Sequence, residues 1–231
     1  MFLVEGKKMV DEALNSSWKV ECLVCKEAYP SESLPSVDLP IYQASPTEFK
    51  RISSQQHPEG IIAVLSMRDS SVLRVSSLES EGEEAAYLLW RLKDPGNLGT
   101  ILRTADWLNI PTVYLTEDCV DVFNPKSIRA SMGSLFRCQL RIISHPIEAI
   151  MACGKTIWVA DMEGKQLQDV SFGKDDIILI GSESQGVDTQ LKTKLAHQKI
   201  SIPRLGGGES LNAAVSASII GWQYKLKTTL R

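Results

Sequence analysis

The feature that most limits what this chain can become is a regular alternation. From Ala85 onward, strand-like apolar runs (Ala86–Trp90, Thr112–Leu115, Cys138–Ile142, Thr156–Ala160, Ile177–Ile180 and Lys199–Ile202) are separated by helix-like stretches. Such alternation predicts an α/β fold in which a mostly parallel sheet is covered by helices on both faces, a doubly wound, Rossmann-like arrangement. Ligands of such sheets sit beyond the carboxyl ends of the strands. The loops after Trp90, Ile180 and Ile202 are therefore where chemistry is expected.

Residues 1–67 carry a smaller rhythm of the same kind: Phe2–Val4, Lys7–Asn15, Val20–Val24, Thr47–Ile52 and Ile61–Leu65 predict a small α/β layer. Between the two lies Arg68–Glu84, rich in Ser and ending in Ser80-Glu81-Gly82-Glu83-Glu84, a composition expected to cross solvent as a linker. The expected organisation is thus residues 1–67, a linker 68–84, and a larger domain 85–231. With 43% hydrophobic and 23% charged residues over 231 positions, and no apolar run near the roughly 20 residues a bilayer span needs, a soluble globular chain is expected. The net charge of −3 removes any argument from global basicity to nucleic acid, so such binding has to come from a local patch. Met1-Phe2-Leu3-Val4-Glu5-Gly6 has neither the basic flank nor the apolar stretch of a secretory signal, which predicts a cytoplasmic location. The five cysteines read as reduced thiols; Cys22 and Cys25 have a metal-like spacing that no second pair completes, and no metal is expected.

The first of the three loops reads Lys93-Asp94-Pro95-Gly96-Asn97-Leu98-Gly99-Thr100-Ile101-Leu102-Arg103-Thr104-Ala105. Pro-Gly makes a turn, Asn97 is placed to cap a helix, and Leu98, Ile101, Leu102, Ala105 and Leu108 form its buried stripe. Arg103 lies off that stripe, on the face of Gly99; its plain alternative is a surface arginine paired with Asp106. The second loop, Gly181-Ser182-Glu183-Ser184-Gln185-Gly186, ends a buried strand where the backbone has to bend or approach a ligand. Glu183 occupies the middle glycine of a dinucleotide fingerprint, so a pyrophosphate is excluded there; the alternative for Glu183 is a solvated loop acid.

In the third loop, Ile202-Pro203-Arg204-Leu205-Gly206-Gly207-Gly208-Glu209-Ser210-Leu211-Asn212, Ser210 is a natural cap for an apolar helix to about Tyr224. There is no Gly-Lys-Ser/Thr, hence no P-loop; a flexible turn ahead of a core helix would need no ligand. A further segment, Asn124–Arg141, holds Lys126, Arg129, Arg137 and Arg141 with Phe136 among them and no acidic residue. Basic side chains with an interleaved aromatic suit phosphates and a stacked base, although Phe136 equally suits a core.

Taken together these segments resemble the SpoU (TrmH-type) branch of the SPOUT RNA 2′-O-ribose methyltransferases. The matching patterns are D-P-x-N-L-G-x-x-x-R-T-A at Asp94–Ala105, N-P-K-x-x-R-A-S-x-G at Asn124–Gly133, G-x-E-x-x-G at Gly181–Gly186, and I-P…S-L-N at Ile202–Asn212. The resemblance implies a C-terminal trefoil knot, which general rules of chain connection would not predict. It further implies S-adenosylmethionine as cofactor, a homodimer sharing the active site, and an RNA substrate bound partly by an L30e-like domain at residues 1–67. By motif, Gly181, Ile202 with Pro203, and Leu211 match cofactor-contacting positions. Asn97, Arg103, Glu183, Ser210 and Asn212 match the polar positions around the methyl group and the ribose.

Arg204 stands where Met is common in the family, and Ala213-Ala214 where Val-Ser is frequent. The family's usual basic helix does not precede Phe2, so the first domain is expected to be trimmed or to start upstream. The expected reaction is methyl transfer to a ribose 2′-hydroxyl, of ribosomal RNA before transfer RNA, with a non-catalytic RNA-binding protein as the alternative outside enzymes. Arg103 acts there as base or as organiser of the adjacent phosphate; an arginine normally stays protonated, so a literal base role demands special activation. The dimer finds support in the apolar face Leu211, Ala214, Val215, Ser218, Ile219 and Trp222.

Overall fold

The computed structural model describes residues 1–67, 72–78, 84–182, 186–195 and 198–229. The first domain is a four-stranded sheet of β1 (Phe2–Glu5), β2 (Val20–Lys26), β3 (Ile41–Ala44) and β4 (Ile61–Leu65) in the order β1-β4-β2-β3. β4 runs antiparallel to both neighbours and β3 parallel to β2. Helix α1 (Lys7–Leu14) buries Met9, Val10 and Ala13, and α2 (Pro46–Ile52) opens with a Ser45–Glu48 capping box that satisfies its first free N–H groups.

The larger sheet has seven strands: β5 (Val72–Val75), β6 (Ala86–Leu89), β7 (Thr112–Thr116), β8 (Gln139–Ile143), β9 (Ile157–Gln166), β10 (Ile177–Ile180) and β11 (Lys199–Ser201). Their order is β11-β9-β10-β6-β7-β8-β5 and every neighbouring pair is parallel. Successive residues of one strand serve opposite faces. Tyr87, Leu89, Ile178 and Ile180 join one apolar cluster, while Ala86, Leu88, Ile177 and Leu179 join another. Helices α3 (Pro95–Trp107), α4 (Pro125–Ser131) and α7 (Ala213–Thr228) contribute to the first cluster, α5 (Pro146–Ala152) and α6 (Thr189–Lys194) to the second. The expected sheet with helices on both faces is present.

The stretch expected to cross solvent as a linker behaves otherwise where it is described. Val72–Val75 pairs with Leu140–Ile143 as the edge strand of the large sheet, and Leu78 is buried against its second cluster. Val72-Leu73-Arg74-Val75, with two β-branched valines and a leucine, is a short strand signal that the surrounding serines conceal. Positions 68–71 and 79–83 lie outside the described residues.

Two close approaches hold the helices in place. An added Cβ on Gly99 of α3 would lie 2.5 Å from both Ala130 Cβ and the Ser127 carbonyl oxygen of α4, so those helices pack backbone to backbone. Gly221 of α7 sits against the buried Tyr87 hydroxyl, which donates 2.9 Å to the Ala217 carbonyl and pins α7 to β6. The two domains also share one core. Phe2 and Trp18 of the first domain pack against Phe123 and Phe136 of the second, with centroid separations of 4.6 Å (Phe2–Phe123, tilted) and 5.7 Å (Trp18–Phe136, edge to face).

Candidate active site

Because β6, β10 and β11 run parallel, the loops that follow them leave the sheet at one edge. After β6, Asp94 rather than Asn97 caps α3, accepting the Asn97 N–H at 2.7 Å. That N–H, and then the Lys126 ammonium at 3.1 Å, hold the Asp94 carboxyl below its ordinary range. Asn97 lies one turn further in, where its side-chain oxygen accepts from Asn212 Nδ2 at 2.8 Å. Asn212, not Ser210, caps α7: its Oδ1 accepts from Ala214 N–H (2.8 Å) and Val215 N–H (3.3 Å). Ser210 is exposed two residues earlier, in the loop before the helix begins. Thr104 and Ser218 join the same helices about two turns further along, Oγ to Oγ at 2.9 Å. The first and third loops therefore meet through side chains.

Arg103 is exposed on α3 and makes no ion pair among the described residues. The Asp106 pairing foreseen as its alternative does not form, since Asp106 is taken by Arg137 (2.8 Å) and Ser134 (2.7 Å). Nor does Gly99 open a face beside Arg103; α4 fills it. After β10, Ser182 and Gly186 exchange backbone hydrogen bonds (3.1 and 2.9 Å). Gly181 is pressed on the Gly186 backbone and Gly186 takes φ +64°, so both need glycine. Glu183 lies outside the described residues. After β11, Ile202 packs on the core, whereas Pro203 and Ser210 are exposed and Leu211 keeps 51% of its surface accessible. A cavity of about 320 Å³ lined by Arg91, Asp118 and His145 also opens beyond β6–β8, but it contains none of these motif residues.

The basic patch is not one free surface. Phe136 is 7% exposed and packed on Trp18, so it belongs to the shared core and is not offered to a base. Arg137 bridges Asp106 and Glu12 across the domains; its hydrogen bond to Asp106, reinforced by Glu12, raises its pKa. Arg141 lies on β8 over the Tyr114 ring. Lys126 and Arg129 face the loops, Lys126 holding Asp94 and Arg129 donating to Ser54 Oγ at 2.6 Å. Sequence reasoning missed Asp94 as a side-chain hub and Ser54 altogether, since an Asp before Pro-Gly and a lone Ser carry no distinctive spacing.

The profile of the SpoU rRNA Methylase family matches residues 85–222, and that of the MRM3-like substrate binding domain matches residues 1–63. The chain belongs to the SpoU rRNA methylase family. It is 29% identical to the 23S rRNA (guanosine(2553)-2′-O)-methyltransferase RlmP of Bacillus subtilis, over 97% of this chain and 88% of that protein. A TrmH-family RNA methyltransferase structure from Porphyromonas gingivalis superposes with a TM-score of 0.80 at 31% identity, covering 96% of this chain and 88% of the other. The SpoU methyltransferase AviRb from Streptomyces viridochromogenes in complex with AdoMet gives 0.78 at 28% identity, with 96% and 88% coverage. In this SpoU-family chain the four sequence motifs fall on the loops and on α3, α4 and α7 as described.

Proposed function

We propose that this SpoU-family chain uses S-adenosylmethionine to methylate a ribose 2′-hydroxyl of ribosomal RNA. The observation that carries the reading is the junction of the motif segments through Asn97 and Asn212, with Arg103, which makes no ion pair among the described residues, further along the same helix as Asn97. The chain's residues fit the cofactor: Gly181 offers backbone without a side chain, and Ile202 and Leu211 offer apolar side chains on the segment after β11. When bound, S-adenosylmethionine supplies an electrophilic sulfonium methyl group. Gly181, Ile202, Pro203 and Leu211 hold it, largely through backbone groups. Asn97, oriented by Asn212, and Arg103 position the ribose; Arg103, itself protonated, orients the neighbouring phosphate and steers the hydroxyl proton toward it. Ser210 and Glu183 complete the polar set.

The reading carries a cytoplasmic location, a trefoil knot and a homodimer as corollaries. The knot is supported by a strand order in which β11 returns to the far side of β9 after β10 has been laid between β9 and β6. For the dimer, Val215, Ile219 and Trp222 are 46%, 38% and 50% exposed along one side of α7, and Leu211, just ahead of its cap, is 51% exposed. Ala214 is buried and Ser218 bonds Thr104, so those two drop out of the expected face. No helix among the described residues is long and apolar enough to cross a membrane.

The test is calorimetric titration with S-adenosylmethionine and S-adenosylhomocysteine, followed by mass-spectrometric mapping of 2′-O-methyl groups in ribosomal RNA from cells with and without the gene. Binding and one lost methylation site are expected. No cofactor binding, with or without RNA, overturns the enzyme.

A further inference from the structure

Glu5, the last residue of β1, is 8% exposed, and its carboxylate is fully engaged inside the first domain. It accepts from Ser53 Oγ (2.5 Å), Ser54 N–H (2.9 Å) and Ser54 Oγ (2.6 Å). A carboxylate only accepts and a hydroxyl has a single proton to give. The Ser54 proton is therefore committed to Glu5. Its oxygen is left as an acceptor, and Arg129 Nη1 donates to it at 2.6 Å. The relay from Arg129 through Ser54 to Glu5 has one direction, and it runs from α4 into the core of the first domain.

The relay fixes one corner of the guanidinium. The Nε–Nη2 edge of Arg129 has no partner among the described residues, and that edge is the planar fork that matches two oxygens of a phosphate. Glu5 balances the charge through the hydroxyl rather than by a direct ion pair, so the arginine stays available to an outside anion. One turn earlier on α4, Lys126 reaches Asp94, the residue that also holds the Asn97 N–H. Arg129 thus stands between the first domain and the candidate active site.

We infer that Ser54 and Glu5 are positioning residues that aim Arg129 at a backbone phosphate where RNA passes from the first domain to the methyl-transfer site. The inference rests on the RNA methyltransferase reading above and adds that the grip is assembled across the domain seam. The experiment measures methyl transfer from tritiated S-adenosylmethionine to an in-vitro 23S ribosomal RNA transcript, separating KM from kcat, with filter binding of the same transcript over a KCl series. The proteins are wild type, Arg129→Gln, Ser54→Ala, Ser54→Thr and the Arg129→Gln/Ser54→Ala double variant.

Arg129→Gln is expected to raise the RNA KM about ten-fold, as loss of a charge-assisted contact does, and to flatten the log K against log salt slope by about 0.7–0.9. Ser54→Ala raises KM roughly three- to ten-fold with kcat and cofactor affinity unchanged. Ser54→Thr, which keeps the hydroxyl, restores it. In the double variant Ser54→Ala adds nothing to Arg129→Gln, because the serine acts only through the arginine. Additive losses, or a Ser54→Ala KM within two-fold of wild type, overturn the inference. A wild-type protein that neither binds nor methylates the transcript instead fails the functional reading itself, and the inference falls with it.

Discussion

Replacing Gly99 by alanine sets two effects of known size against each other. In an exposed helix interior the change would stabilise by about 1 kcal/mol, since alanine loses less backbone entropy than glycine. Here the new Cβ would lie 2.5 Å from Ala130 Cβ and from the Ser127 carbonyl oxygen, and 2.8 Å from the Ser131 nitrogen. None of these is the far end of a flexible side chain. Relief requires α3 and α4 to separate, at the cost of about 1–3 kcal/mol typical of overpacking, toward its upper end when backbone has to move. The net expectation is a loss of about 1–2 kcal/mol, and a melting temperature lower by about 2–8 °C for a chain of this size. Urea unfolding followed by circular dichroism measures it, with Gly207→Ala as the control, since nothing lies within 4 Å of a Cβ there. Because α3 carries Asn97 and Arg103 and α4 carries Lys126 and Arg129, the same variant should also raise the RNA KM. A Gly99→Ala protein as stable as wild type or more so would refute the reasoning, for helix propensity would then outweigh contact.

Arg103→Ala should change stability by no more than about 0.5 kcal/mol, being exposed and without an ion pair among the described residues, yet slow single-turnover methyl transfer about 10²–10⁴-fold. Arg103→Lys should recover little of that rate because lysine lacks the planar fork, and a near-normal rate for the alanine variant would remove Arg103 from the chemistry. Asp94 is held below the ordinary 3.8 by the Asn97 N–H and Lys126, so its contribution to stability is present above that value and fades as pH falls through the lower folded value. The stability gap between wild type and Asp94→Asn in urea melts should accordingly shrink below pH 3.8 and hold steady from pH 5 to 7. Gly221→Ala drives a Cβ into the Tyr87 hydroxyl, and Tyr87→Phe removes that atom, so a double-mutant cycle should give less than the sum of the two single losses.

How much of this was legible beforehand follows from the range of the forces involved. Strands such as Ala86–Leu89 and Ile177–Ile180 are read from sequence because burial on both faces leaves only apolar residues, a local signature. β5 escaped because four residues on a sheet edge, with Arg74 facing Glu117, need little hydrophobicity and sit among serines. The helix caps illustrate the same limit on a finer scale. Asp94 and Asn97, or Ser210 and Asn212, are equally competent chemically, and only the path of the backbone decides which oxygen meets the free N–H groups.

The basic segment Asn124–Arg141 fails as a single patch for a different reason. Charge and aromaticity are visible in sequence, but their partners are not: Glu12, Trp18 and Ser54 lie 75 to 125 positions away from the residues they meet. Those partners sort the segment by neighbour. Phe136 is drawn into apolar contact, Arg137 is consumed between two carboxylates, and Lys126 and Arg129 remain turned toward the loops. The first domain therefore does more than add surface to the second. By closing on α4 it decides which of the segment's cations face inward as struts and which one is left with an unoccupied edge, and that selection is a property of the folded pair that neither domain's sequence contains by itself.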